Sequence, residues 1–340
     1  MKNFSFKDSI FPGFVLVLII ATISKFAESL IPQSVIGASV IALFIGMFIN
    51  NYTGERTEFK KGISFTSKRV LKFAIILLGA SLNVNTIFNV GRMSVYVMFF
   101  TLLTCFGGGY FVGKALGLNW KLSNLISAGT GICGGSAVAA IAPVIEAEDV
   151  DVAYAISATF IFDIFMIVLF PIAGRYMGLS DIAYGLWTGT AVNDTSSVVA
   201  AGYAFSEAAG DFATMVKLTR TLVIIPTVII FAFINNHLKF KNSSAHKNVS
   251  VKVSDIFPWF IVGFLIMSVL HSVGIISVEL SEVLKSISKF LMICALGAIG
   301  LNTRLSDMKK SGTAPMVHGF IISALVVIVA FVVEYAMGLI

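Results

Sequence analysis

Long apolar runs, broken at short intervals by polar and charged residues, set the pattern of this chain from Phe11 to Leu339. The runs cover about 11–30, 35–50, 70–88, 94–114, 124–146, 151–174, 181–205, 212–236, 254–275, 282–302 and 314–338. Each approaches the ~20 residues that an α-helix needs to cross a bilayer core. The pattern therefore predicts an all-α polytopic membrane protein with about 11 transmembrane helices. No other stretch is long enough for a soluble domain, so one transmembrane transporter domain is expected over 1–340.

Two runs carry polar residues where lipid would penalise them. Gly189-Thr190-Ala191-Val192-Asn193-Asp194-Thr195-Ser196-Ser197 lies inside the seventh, and Gly129-Thr130-Gly131-Ile132-Cys133-Gly134-Gly135-Ser136 lies inside the fifth. Aligned at Gly129 and Gly189, they share Gly-Thr, then Ser136/Ser196, Val138/Val198 and Ala140/Ala200. We read them as two interrupted helices. A helix that opens in mid-membrane leaves backbone N–H and C=O groups unpaired, tolerable only where they line a protein-buried cavity. Freed N–H groups at a half-helix N-terminus suit an anion, and the Gly residues give the break its backbone freedom. Close packing of small residues is the competing explanation. It does not account for Asn193-Asp194.

A second similarity joins Lys72-Phe73 through Asn83 with Lys289-Phe290 through Asn302, once one residue is inserted near Gly300. Charge bias gives the orientation. With the N-terminus cytoplasmic, the inner loops hold Arg56, Lys60, Lys61, Lys68 and Arg69; Lys114 and Lys121; Arg175; Lys239, Lys241, Lys247 and Lys252; and Arg304, Lys309 and Lys310. The C-terminus is then outside, and Glu146, Glu148, Asp149 and Asp151 form an outer loop. This makes the 72/289 pair inverted, as in many secondary transporters, but the two Gly-Thr segments parallel. Either one segment is a re-entrant hairpin, or one similarity reflects shared composition.

Composition narrows the classes. Of 340 residues, 57% are hydrophobic and 12% charged, roughly half the charge of a soluble protein. The net charge of +6 resides in loops without interleaved aromatics, so nucleic acid is not an expected partner. Cys105, Cys133 and Cys294 sit in apolar runs without paired spacing, and the four His show no metal spacing. Lys2 and Lys7 precede an apolar run that lacks a small-x-small cleavage site, so an uncleaved first span is expected. No nucleotide loop or nucleophile–base motif occurs, so an enzyme or an ATP-driven pump is not expected.

Asp194 is the first candidate for ion coupling, and Asp163, in the middle of an apolar run, is the second. A charge facing lipid there would cost on the order of 3 kcal/mol, so Asp163 needs a partner. Lys289, Arg220 and Lys72 are the candidate charge partners; Lys217 and Lys72 have snorkelling to the interface as the simpler reading, and Glu334 is expected at the interface. The candidate substrate-binding residues are Gly129, Thr130, Gly131, Cys133, Gly134, Gly135, Ser136, Thr190, Asn193, Thr195 and Ser196.

At Gly129 through Ala137, Asn193 through Ser197, and Lys289 through Thr303, the sequence resembles the YeiH-like family of bacterial inner-membrane proteins, labelled sulfate exporters. The resemblance covers nearly the whole chain. It implies a plasma-membrane protein distantly related to cation/proton antiporters and bile-acid symporters, whose broken helices cross antiparallel. The combined expectation is an ion-coupled secondary transporter of a small anion, sulfate, sulfite or a sulfonate among them. It would use H+ or Na+ and no other cofactor, and a homodimer is one assembly open to it. A Na+/proton antiporter and a non-transporting pore or partner component are the alternatives.

Overall fold

The computed structural model describes residues 9–30, 38–53, 57–241, 258–303 and 312–340, with backbone only at 239–241. Lys2, Lys7, Arg56, Lys247, Lys252, Arg304, Lys309 and Lys310, used above for orientation, lie outside the described residues. So do the side chains of Lys239 and Lys241.

Among the described residues every regular element is helical. In chain order they are α1 (Phe11–Leu30), α2 (Ala38–Thr53), α3 (Thr57–Phe65), α4 (Leu71–Gly79), α5 (Val84–Leu103), α6 (Gly109–Ala115), α7 (Trp120–Ala128) and α8 (Gly135–Ile141). They continue with α9 (Asp149–Tyr176), α10 (Asp181–Ala191), α11 (Thr195–Phe205), α12 (Glu207–Thr221), α13 (Ile224–Lys241), α14 (Trp259–Ser272), α15 (Val278–Asn302) and α16 (Thr313–Ala336). Wider π turns join α3 to α4 and α5 to α6, and another, Gly129–Cys133, extends α7. Among the described residues six stretches are long and apolar enough to cross a membrane: Phe11–Leu30, Val84–Ala115, Asp149–Tyr176, Glu207–Leu238, Val278–Asn302 and Thr313–Ala336.

Two predicted boundaries move. The chain does not turn near Arg92, which lies inside α5; it turns at Ala80–Asn83 instead. Ser268 and Ser272 fix that turn by donating to Leu82 O (2.7 Å) and accepting from Val84 N (2.9 Å). Lys60, Lys61, Lys68 and Arg69 are helical rather than loop residues.

The chain packs into two compact units. Unit 1 comprises Met1–Asn89, Val199–Gly210 and Trp259–Ser306; unit 2 comprises Val90–Val198, Asp211–Pro258 and Asp307–Ile340. In unit 1 small residues bring backbones together. A Cβ on Gly300 would fall on Leu43 O, and one on Gly46 would fall on Gly297 O, so α2 and α15 touch backbone to backbone. The two copies of the 72/289 similarity also pack here. Ser288 donates to Ala74 O (2.6 Å), and Asn302 to Ser67 Oγ (3.1 Å). Contact positions fall along one copy as they rise along the other, so the copies run antiparallel.

Unit 2 contains both Gly-Thr segments, and three helix pairings fix their paths. Asn119 bonds Asp151 (3.2 Å) at the starts of α7 and α9, and ten residues on, a Cβ at Gly129 would lie 2.8 Å from Thr159. The α7 segment and α9 therefore run the same way, and 135–148 must double back between them. It does: Gly129 faces Val138, and Lys121 Nζ donates to Glu146 O at 2.6 Å. The same logic applies to α10 and α12. Gly189 packs on Ala213 and Val216, while Val192 O accepts from Lys217 and Arg220, so these helices are parallel and the chain reverses after the Val192–Asp194 tip to begin α12 at the other end. Finally α9 and α10 are antiparallel: Phe170 stacks on Trp187 (4.0 Å), and Asp163 meets Asn193 and Asp194.

Both segments are thus hairpins that enter unit 2 from opposite ends. Their Gly-Thr strokes run antiparallel, not parallel. The charge rule erred because it counted 124–146 as one crossing. The acidic residues Glu146, Glu148, Asp149 and Asp151 accordingly lie at the same end as Lys121, not at the opposite one.

Candidate functional site

The two hairpins meet at their tips. The first breaks at Gly134, whose φ of 65° and ψ of −136° suit only glycine. A Cβ there would lie 3.0 Å from Asp194 Oδ1 and 3.1 Å from Asp194 Cβ, so the break of one hairpin rests against that of the other. The second breaks over Val192–Asp194, between α10 and α11. α9 passes beside both tips. It has 28 residues, about 42 Å of helix, and Asp163 falls near its middle.

A helix break frees carbonyls on one side and N–H groups on the other. Each set has found a partner of opposite charge. Asp163, 1% exposed, accepts from Asn193 N through Oδ1 (2.9 Å) and from Asp194 N through Oδ2 (2.8 Å). Asp194 then caps α11: its Oδ2 accepts from Ser196 N (2.9 Å) and from the Ser196 hydroxyl. On the carbonyl side stand Lys217 and Arg220 of α12, both fully buried. Lys217 Nζ donates to Ile132 O and Val192 O, each at 2.9 Å. Arg220 donates from Nε to Gly131 O (2.6 Å), from Nη2 to Thr130 O and from Nη1 to Val192 O (3.2 Å). Each cation therefore ties the first hairpin to the second. The carbonyl ends of half-helices carry partial negative charge and the N–H ends partial positive charge, so all four side chains match the local dipoles.

Of the residues expected to bind substrate, Gly129, Thr130, Gly131, Cys133, Gly134, Thr190, Asn193 and Ser196 are buried at or next to the tips. Gly135, Thr195 and Asp194 are half-buried, and Ser136 is exposed. Thr190 turns back to Leu186 O (2.7 Å) in its own helix. Asn193 Nδ2 reaches Ser323 Oγ (3.3 Å) and Thr159 O (3.4 Å), whereas Asn193 Oδ1 and Thr130 Oγ1 are buried without a partner among the described residues.

The charge partners divide. Arg220 belongs to the cluster, but it bonds carbonyls rather than the carboxylates. Lys289 and Lys72 lie in unit 1: Lys289 pairs with Glu207 (2.6 Å), and exposed Lys72 stands 5.7 Å from the centre of the Phe260 ring. Snorkelling fails for Lys217, which is 0% exposed. Its spacing to Arg220 held the missed signal, since positions i and i+3 share one helix face. Ile132 and Val192 were invisible as site residues because they contribute only backbone oxygens. Among the described residues no group of His, Cys, Asp or Glu could hold a metal ion.

Comparison with known proteins agrees in length and class. Residues 12–319 match the family described as Conserved hypothetical protein 698. A UPF0324 membrane protein of Clostridium tetani is 56% identical over 334 residues, 96% of this chain and 97% of its own. Another from Streptococcus agalactiae is 40% identical over 341 residues, 98% of this chain and 99% of its own. One from Fusobacterium nucleatum is 40% identical over 305 residues, covering 84% and 86%. With six membrane-length helical stretches among its described residues, the chain is a multi-pass membrane protein and belongs to the Conserved hypothetical protein 698 family.

Proposed function

We propose that this protein is a proton-coupled secondary transporter of a small anion, with substrate held where the two hairpins meet. The observation that carries the reading is the tip-to-tip junction itself, with two carboxylates and two cations gathered near the middle of α9. Irregular backbone and charge at that depth serve a path through the membrane rather than the packing of helices. In this reading the Gly-Thr segments are two re-entrant hairpins among about eleven apolar segments, and the protein acts as a carrier, not an enzyme.

Ser136 and the half-buried Gly135, Thr195 and Asp194 form the accessible rim, where hydroxyl and backbone donors would meet the anion. Lys217 and Arg220 lie behind it. The same cations favour H+ over Na+ as the coupling ion, because they already occupy the carbonyls that a bare Na+ would need. The resemblance to the YeiH-like family supports a sulfur oxyanion or sulfonate as cargo and the bacterial plasma membrane as the location. A Na+/proton antiporter is the second reading, favoured by the unpartnered acceptors Asn193 Oδ1 and Thr130 Oγ1.

The test is uptake of labelled sulfate, sulfite and small sulfonates into proteoliposomes under imposed H+ or Na+ gradients. Saturable uptake driven by the H+ gradient, and lost in Asp194→Asn, is expected. Na+ flux indifferent to anions would favour the antiporter. No flux of either kind would leave a non-transporting role.

A further inference from the structure

Another acidic side chain is buried away from the hairpin tips. Glu334 is the third residue from the end of α16, where the sequence suggests an interfacial position, yet it is 0% exposed. Both carboxyl oxygens are buried, and neither has a hydrogen-bond donor among the described residues. The contrast with Asp163 is direct: that carboxylate receives two backbone N–H groups, and Glu334 receives none.

The surroundings explain the isolation. Trp187 of α10 packs on Phe331 (5.6 Å between ring centres) and donates from Nε1 to Val327 O (3.0 Å), while Phe170 of α9 stacks on Trp187. These aromatic groups lie between Glu334 and the tips, since Asn193 meets α16 three turns earlier, at Ser323. The titratable groups on α9 and α10 at that end are Arg175, Asp181 and Tyr184. Arg175 and Asp181 are exposed, and Tyr184 is buried. On α16 itself Tyr335 points outward. None of them satisfies a Glu334 oxygen. An ionised carboxylate cannot persist in such a place without a donor or a counter-ion.

We propose that Glu334 is a proton-binding site of the transport cycle, holding its proton while buried near the end of α16 and releasing it when that end of α16 opens. The proton is taken from water on one side and returned to water on the other; no bond other than O–H forms or breaks. The proposal rests on the transporter reading, so its test needs one readout that is independent of flux. Infrared difference spectra of the purified protein at neutral pH, wild type minus Glu334→Gln, give that readout. The carboxylic-acid C=O stretch should be present in the wild type and missing in the variant. In proteoliposomes Glu334→Gln should lower H+-driven anion accumulation by about tenfold or more. Anion exchange at equal pH should persist, which also shows that the variant is folded.

An ionised Glu334 in the infrared spectrum overturns the proposal. So does a variant whose accumulation still follows the H+ gradient as the wild type does. A wild type with the protonated band but no flux of any anion would sink the transporter reading and the carrier role with it. The band then separates that failure from a wrong assignment of the proton.

Discussion

The two units bury different kinds of polarity. Among the described residues, the buried polar side chains of unit 1 are Ser24, Ser39, Asn50, Thr66, Ser268, Ser281, Ser288 and Thr303. All are neutral, and most spend their donor on a nearby carbonyl, as Ser24 does on Ile20 O and Thr66 on Gly62 O. Unit 2 buries the ionisable side chains Asp151, Asp163, Asp211, Lys217 and Arg220, and besides them the unpartnered Glu334. Neutral hydroxyls let helices slide close and need little from their surroundings. Buried charges demand a dedicated partner each, and leaving one alone costs about 3–5 kcal/mol. In the proposed reading those charges serve transport, with unit 1 as the packing framework.

The most severe way to break that contrast is to remove Asp163. Alanine there leaves two buried N–H groups, those of Asn193 and Asp194, without an acceptor. At about 1–3 kcal/mol for each group, the second tip should lose its shape. Two cations would also remain with less opposing charge. Asp163→Ala should abolish anion flux and lower the unfolding temperature, read by proteoliposome uptake and by thermal denaturation in detergent. Flux near the wild-type level would mean that the carboxylate is only a helix cap of convenience.

A smaller effect is expected at Gly134. Its φ of 65° would strain any side chain by about 1–3 kcal/mol, and the added Cβ would press on the Asp194 carboxylate at 3.0 Å. Gly134→Ala should insert and fold but lose about tenfold to a hundredfold in flux, since each 1.4 kcal/mol is worth about a factor of ten. The unfolding temperature should move far less than in Asp163→Ala. The reverse order would show that Gly134 serves packing and Asp163 does not serve the tips.

How much of this could be read from the sequence follows the nature of each interaction. The apolar runs gave the helices because bilayer thickness imposes a length. Gly134 and Asp194 could be singled out because glycine and aspartate are anomalies in such runs, and their contact joins two predicted site residues. The doubling back of 120–141 could not be read, because a hairpin and a crossing share the same hydropathy. Tertiary pairings separate them, such as Asn119 with Asp151 and Lys121 with Glu146. Lys217 is ambiguous for a similar reason: snorkelling and bonding to carbonyls call for the same residue, and the carbonyls have no letter in the sequence. Glu334 shows the opposite error, a residue placed at the interface by its position near a helix end while tertiary packing buried it.

The mildest perturbation tests the other side of the contrast. Lys289 is a charged residue of unit 1 that falls within an apparent repeat, and it is the best candidate there for an electrostatic part in transport. Its partner is Glu207, at 2.6 Å, with side chains 23% and 73% exposed. The ammonium also stands 5.9 Å from the centre of the Tyr203 ring. A pair so open to its surroundings contributes about 0–1 kcal/mol, and Met keeps the length of the aliphatic stem. Lys289→Met should therefore leave flux within about twofold of the wild type and stability almost unchanged, with the same dependence on the H+ gradient. A tenfold loss of flux in a stable protein would mean that charge in unit 1 takes part in transport, and the division between a neutral framework and a charged working unit would have to be given up.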